Sequence, residues 1–234
     1  MLFRSWLDQL PETIASHLLD NHDSAIAPTL QILLAKFWET ASGKDDSRRE
    51  FTISAYLKLK EGGLLLRDFL EQQVATFEKR FPEAVRSGLL LDIIALHTTP
   101  LGTAEQQTMA QLAQQYAHLG GALSDLLQQC QDLYLLTVIG NGHKDDDKTT
   151  RLAHDTLAPI VREQFDKSDK PGQRARRILD HRSPYWEHEA DGPPLDAVDL
   201  KIVEQGISGT RSLTPAEQRL LRVSRNLQAR LQRT

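Results

Sequence analysis

The chain has one cysteine, Cys130, in 234 residues. That excludes an internal disulfide and any zinc site built on several thiolates. It fits a reducing compartment, so a cytoplasmic location is expected. Aromatic residues make up only 6% of the chain. Leu, Gln, Ala and Asp are abundant instead, and strands favour β-branched and aromatic side chains, so a mainly helical chain is expected. A strong charge of one sign is missing too. The formal net charge is −4, so no global basic field recruits nucleic acid or an anionic membrane. No apolar run approaches the ~20 residues needed to cross a bilayer. The first twenty residues hold neither a long apolar core nor a small-residue cleavage site, and no signal peptide is expected.

Catalytic motifs are equally scarce. There is no G-x-x-x-x-G-K-[ST] loop, because Gly43-Lys44 lacks the upstream glycine and a preceding strand. Neither H-E-x-x-H nor G-x-S-x-G occurs, and no spacing brings Ser, His and Asp together. The expectation is that this chain alone is not an enzyme. The run Asp145-Asp146-Asp147 lacks the glycine and terminal glutamate of a calcium-binding loop. It reads as a solvated turn.

What is present is a sequence of helix signals that changes character once. Apolar positions at helical spacing fill most of residues 1–131, with breaks at Pro11, Gly62-Gly63 and Gly120-Gly121. One helix is expected to start at Pro82 and run to Leu96, with a loop from His97 to Thr103. Another is expected to be capped by Thr103, and a third spans Ala122 to Gln131. Leu133 to Ile139 then turns apolar and β-rich, Gly140 to Lys148 has no apolar residue, and Thr149 to His154 reads as a returning strand. From Asp155 the helical period resumes at Leu157, Ile160, Val161 and Phe165. Three helices followed by a two-stranded wing is the order of a winged helix. The expected fold is therefore mainly α: a helical bundle over 1–80, a winged-helix domain over 81–167 and a helical linker over 168–234.

The third helix of a winged helix often enters the DNA major groove. Here it carries no Lys or Arg and holds Asp125 and Asp132. Phosphate neutralisation needs cations, which argues against nucleic acid as a partner. Arg174, Arg176, Arg177 and Arg182 read as a solvated or partner-facing helix. Thr214, Pro215 and Glu217 spell a capping box for a last helix with no stop signal, which suggests a fragment of a longer protein. At the strand-to-helix corner stand His154 and Asp155. In one reading Asp155 or Thr156 caps the helix and His154 packs half-buried. In the other, His154 offers a donor to an anion docked from elsewhere.

The run RLAHDTLAPIVREQF, Arg151 to Phe165, resembles the end of the winged-helix domain in bacterial STAND-type NTPases. These are signal-transducing switch ATPases related to NACHT and NB-ARC proteins. In that superfamily a Met-His-Asp-like signature closes the winged helix, and its His contacts the β-phosphate of bound ADP. The matching residues are Ala153, His154 and Asp155, with Ala in place of Met. The stretch IAPTLQILLAKFW, Ile26 to Trp38, resembles the start of the helical domain after the nucleotide-binding core. There the proline of a G-x-P motif packs on adenine. Pro28 matches it, with Ile26 where Gly is usual. Gly206 to Arg225 resembles the stretch leading to a C-terminal repeat or effector region. The resemblance implies a lid and winged helix that close over ADP or ATP held by a separate P-loop domain. This chain alone would bind no nucleotide. The bland alternative is a stand-alone winged-helix adaptor that binds protein through its last helix and the Arg174–Arg182 helix.

Overall fold

The structure is a computed structural model that describes residues 9–20, 30, 33, 34, 37, 38, 51–61, 66–140, 148–187 and 192–232. It is mainly helical, with a small three-stranded antiparallel sheet. The chain divides into two compact units, Met1–Gln73 and Val74–Thr234. Pro28 and the Asp145-Asp146-Asp147 run lie outside the described residues.

In the first unit, helix α1 (Leu10–Asp20) buries Leu10, Ile14 and Leu18, one residue per turn on one face. They share a core with Leu33, Phe37 and Tyr56, the last from α2 (Ile53–Glu61). The Tyr56 hydroxyl meets Nδ1 of His17 at 2.9 Å, so the buried ring keeps a polar partner. Helix α3 (Leu66–Arg80) follows.

The second unit begins at Val74, inside α3, and continues with α4 (Pro82–Ser87) and α5 (Leu89–Ala95). The single helix expected from Pro82 is broken at Gly88, whose φ of 94° closes α4 in the left-handed region. A Cβ there would also run into the Gln173 side chain. Strand β1 (Gln107–Thr108) comes next and leads into α6 (Met109–Gln115). Thr108, not the expected Thr103, caps this helix, with Gln111 completing a capping box. The cap lies later because Gln107 and Thr108 are held in extended form by pairing with Thr150 and Thr149.

Helix α7 (Ala122–Asp132) buries Leu123, Leu126, Leu127 and Cys130, an i, i+3, i+4, i+7 stripe. Burial pushes the Cys130 thiol up, so it is a packed and unreactive group. Tyr134, at φ 55°, turns the chain out of α7, with Leu135 N–H donating to Cys130 O and Tyr134 N–H to Gln131 O. A non-glycine residue in that region is uncommon. It aims β2 (Leu136–Ile139) back along β3 (Thr149–Leu152), with Leu136 opposite Leu152. Strand β3 lies in the middle, giving the order β1-β3-β2.

A 3-10 turn at Asp155–Leu157 leads into α8 (Ala158–Lys167), which packs on α5. Leu157, Val161 and Phe165 are buried and Ile160 is half-buried, close to the expected stripe. Three more helices complete the unit: α9 (Pro171–Arg182), α10 (Ala197–Gly206) and α11 (Pro215–Leu231). The expected capping box at the start of α11 is present, with Thr214 and Glu217 exchanging hydrogen bonds. Arg176 departs from the reading of α9 as a solvated or partner-facing helix, while Arg174 is exposed. Arg176 is buried against Glu217 and Asp180, and Arg177 donates to the carbonyls of Asp166 and Ser168 at the end of α8. No helix among the described residues is long and apolar enough to cross a membrane.

Candidate functional site

Strand β3 delivers His154 to its corner by alternation. Thr150 and Leu152 point into the core, and Ala153 N–H still donates to Leu135 O at 3.1 Å. His154 keeps an extended backbone, φ −134° and ψ 119°, while its carbonyl accepts from Leu157 N–H. It is therefore the N-cap of the 3-10 turn by backbone alone. No side chain caps that turn or α8, so the expected capping by Asp155 or Thr156 is not made. Pro159 in the first turn of α8 explains part of this, since it has no N–H to be capped. Asp155 is exposed, and the Thr156 hydroxyl is buried with no hydrogen-bond partner among the described residues.

His154 is half-buried. Burial lowers its pKa below the ordinary histidine range, and the neighbouring Asp155 carboxylate opposes that shift. Near neutral pH the ring is uncharged and can donate one N–H to an anion. A loop backs onto the start of α8 next to this corner. Thr99 and Thr103 hydroxyls join at 2.7 Å across it, and a Cβ on Gly102 would come within 3.3 Å of Pro159 Cα. Leu101 at the loop tip is 92% exposed. His154 and Asp155 thus share one corner. Among the described residues no group of three or more His, Cys, Asp or Glu could hold a metal ion.

Two polar clusters were not foreseen from the sequence. His97, read as the start of a loop, is fully buried between α5 and the sheet. Its Nδ1 lies 2.9 Å from Ile93 O and its Nε2 2.8 Å from Thr150 Oγ1. A carbonyl only accepts, so Nδ1 carries the proton and the Thr150 hydroxyl can donate to Nε2. Burial pushes the His97 pKa from 6.5 to about 4. The unfolded chain therefore takes up this proton first as pH falls. Stability is complete above about pH 6.5, drops by about 3 kcal/mol towards pH 4 and then levels. Urea unfolding across that range should show the loss, and His97→Gln should remove most of the slope. An equal slope in His97→Gln would assign it to other groups.

The second cluster centres on Asp92, which is 1% exposed on α5. Its Oδ2 accepts from Tyr116 Oη and from Arg211 N–H, both at 2.8 Å. Burial raises its pKa, against the pull of Arg211 and the Tyr116 hydrogen bond. The only sequence signal was a carboxylate on the apolar face of a helix beside Leu89 and Ile93.

The first unit also holds an apolar groove of about 540 Å³ bounded by Leu10, Ile14, Leu18, Leu30, Leu34 and Phe37. Among the described residues no polar side chain lines it to orient a ligand. No protein-family model, curated protein or solved structure matches the chain.

Proposed function

We propose that this chain is the regulatory portion, helical lid plus winged helix, of a STAND-type nucleotide-dependent signalling switch. It would close over ADP held by a P-loop core whose motif this chain does not carry. One observation supports the reading above others. The order helix α5, strand β1, helices α6 and α7, then β2 and β3, with β3 central, fits the winged-helix reading, and His154 lies two residues past the end of β3 at Leu152. In the closed state His154 donates to the β-phosphate. Exchange of ADP for ATP releases the module as a domain rearrangement. Pro28, the proposed adenine contact, rests on the sequence resemblance alone.

The test is calorimetric titration of ADP into this chain, alone and together with a P-loop domain encoded beside it. Binding is expected only for the pair. His154→Ala should weaken it by roughly 10–100-fold, the loss of one hydrogen bond to a charged group. Unchanged ADP affinity in His154→Ala overturns the assignment of this residue. A second reading is the winged-helix adaptor that binds another protein through its last helix, where Leu227 and Leu231 are exposed, and through the Arg174–Arg182 helix. It predicts no ADP binding by any pair.

A further inference from the structure

The second unit has two hydrophobic cores, and their division is sharp. One is drawn wholly from residues 175–221: Ala175, Leu179, Trp186, Val203 and Leu220 are among its members. The partly buried residues packed against it, Ile178, Ile207, Leu213 and Val223, come from residues 178–223. No buried apolar residue of 81–167 belongs to that cluster. Most of its charge pairing is internal too, the ion pair of Arg211 with Asp92 excepted. Arg176 pairs with Glu217 and Asp180, Arg211 with Asp180, Arg182 with Asp199 and Arg225 with Glu204.

The contacts that join this stretch to residues 81–167 have a different character. Lys170 Nζ donates to Val85 O at 2.7 Å, and Gln173 Nε2 to Gly88 O at 2.8 Å. Ser212 N–H donates to Gln115 O at 2.6 Å, and its hydroxyl meets His118 Nδ1 at 3.0 Å. Gly172 and Gly209 let their backbones approach the Ser87 carbonyl. At the centre, Asp92 accepts from the Arg211 amide, with the Arg211 guanidinium 3.6 Å from its other oxygen.

We propose that residues 168–231 form a module that undocks as one body from the sheet-bearing region, with Asp92 as the pin of a polar clasp. Each side keeps what it needs when the clasp opens. The module retains its apolar core and its internal ion pairs. Asp92 retains Tyr116 and regains water. An interface of this kind is held by bonds that water can replace, so its opening free energy lies below that of global unfolding. A hydrophobic interface would lack that property, because its opening exposes apolar surface. The inference stands independently of any nucleotide.

Native-state hydrogen exchange on the whole chain in low urea tests it. The reporters are the amides of Arg211 and Ser212, which donate across the clasp to Asp92 in α5 and to Gln115 in α6. The references are Leu220 in α11 and Leu126 in α7, one in each core. Both reporters should share one opening free energy and one urea dependence, each smaller than those of the references. In Asp92→Asn, whose amide N–H₂ would face the Arg211 donors, the reporters should exchange about 10–100-fold faster while the references hold. Three outcomes overturn the proposal. The reporters could open only with the references, which would make the unit indivisible. They could open with differing urea dependences, which would be local fraying. Or they could fail to respond to Asp92→Asn. The first two are read in the unsubstituted chain and do not depend on the variant folding.

Discussion

Arg176→Met should destabilise the second unit by about 3–5 kcal/mol, measured by urea unfolding at neutral pH. The side chains of Arg176 and Glu217 are only 3% and 2% exposed, and Arg176 Nη2 donates to Glu217 Oε1. Methionine keeps most of the apolar stem, so the loss is that of the charge and its hydrogen bonds. What remains is a carboxylate buried without its cation, a situation far costlier than the pair itself is favourable. Glu217 cannot escape to water, because its Oε2 also accepts from Thr214 N–H at 2.9 Å in the capping box of α11. The double variant Arg176→Met/Glu217→Gln separates these effects. Glutamine preserves the capping box and carries no charge. The double variant should therefore be more stable than Arg176→Met alone. If it is not, the penalty comes from packing and not from the stranded charge.

That pair shows where the sequence was legible and where it was not. Thr214, Pro215 and Glu217 could be read as a helix start, because capping is local and needs only the i, i+3 spacing. The helices over α7 and α8 were legible for the same reason, through apolar stripes on one face. The second duty of Glu217 depends on Arg176, distant in sequence, and no local pattern encodes it. Arg176 itself sat in a run of arginines that looked solvated. Strand β1 escaped notice because two residues are too few for an alternation, and only pairing with β3 makes them a strand. At the candidate site, His154 and Asp155 were legible as a corner because the period changes there. The absence of a side-chain cap was not, since Asp and Thr in that position usually supply one. His97 and Asp92 were hidden by their neighbours: each stands in or beside an apolar helix face, and the partners that satisfy them, Thr150, Tyr116 and Arg211, come from later in the chain.

Gly206→Ala should cost roughly 3 kcal/mol or more, although alanine is the better helix former. From sequence Gly206 and Gly209 read as helix stops, which would call for a left-handed backbone. Neither has one: Gly206 sits at φ −99° and ψ −9°, a conformation open to any residue. The reason for glycine is distance. A Cβ on Gly206 would land on the Pro171 carbonyl oxygen and on the Ala175 methyl group of α9. The first of these is backbone, so no side-chain rotation relieves the clash, and α9 and α10 must move apart. That shift loosens the core formed by Ala175, Leu179, Leu200 and Val203. The melting temperature of the second unit should fall by about 6–12 °C. Gly121→Ala supplies the control, because a Cβ there meets nothing within 4 Å and the backbone is already right-handed helical at φ −63°. It should stay within about 1 kcal/mol of the parent. Should Gly206→Ala behave as mildly as Gly121→Ala, the two helices are not in the close contact described, and the core of residues 175–221 would not be as tightly built as the undocking proposal requires.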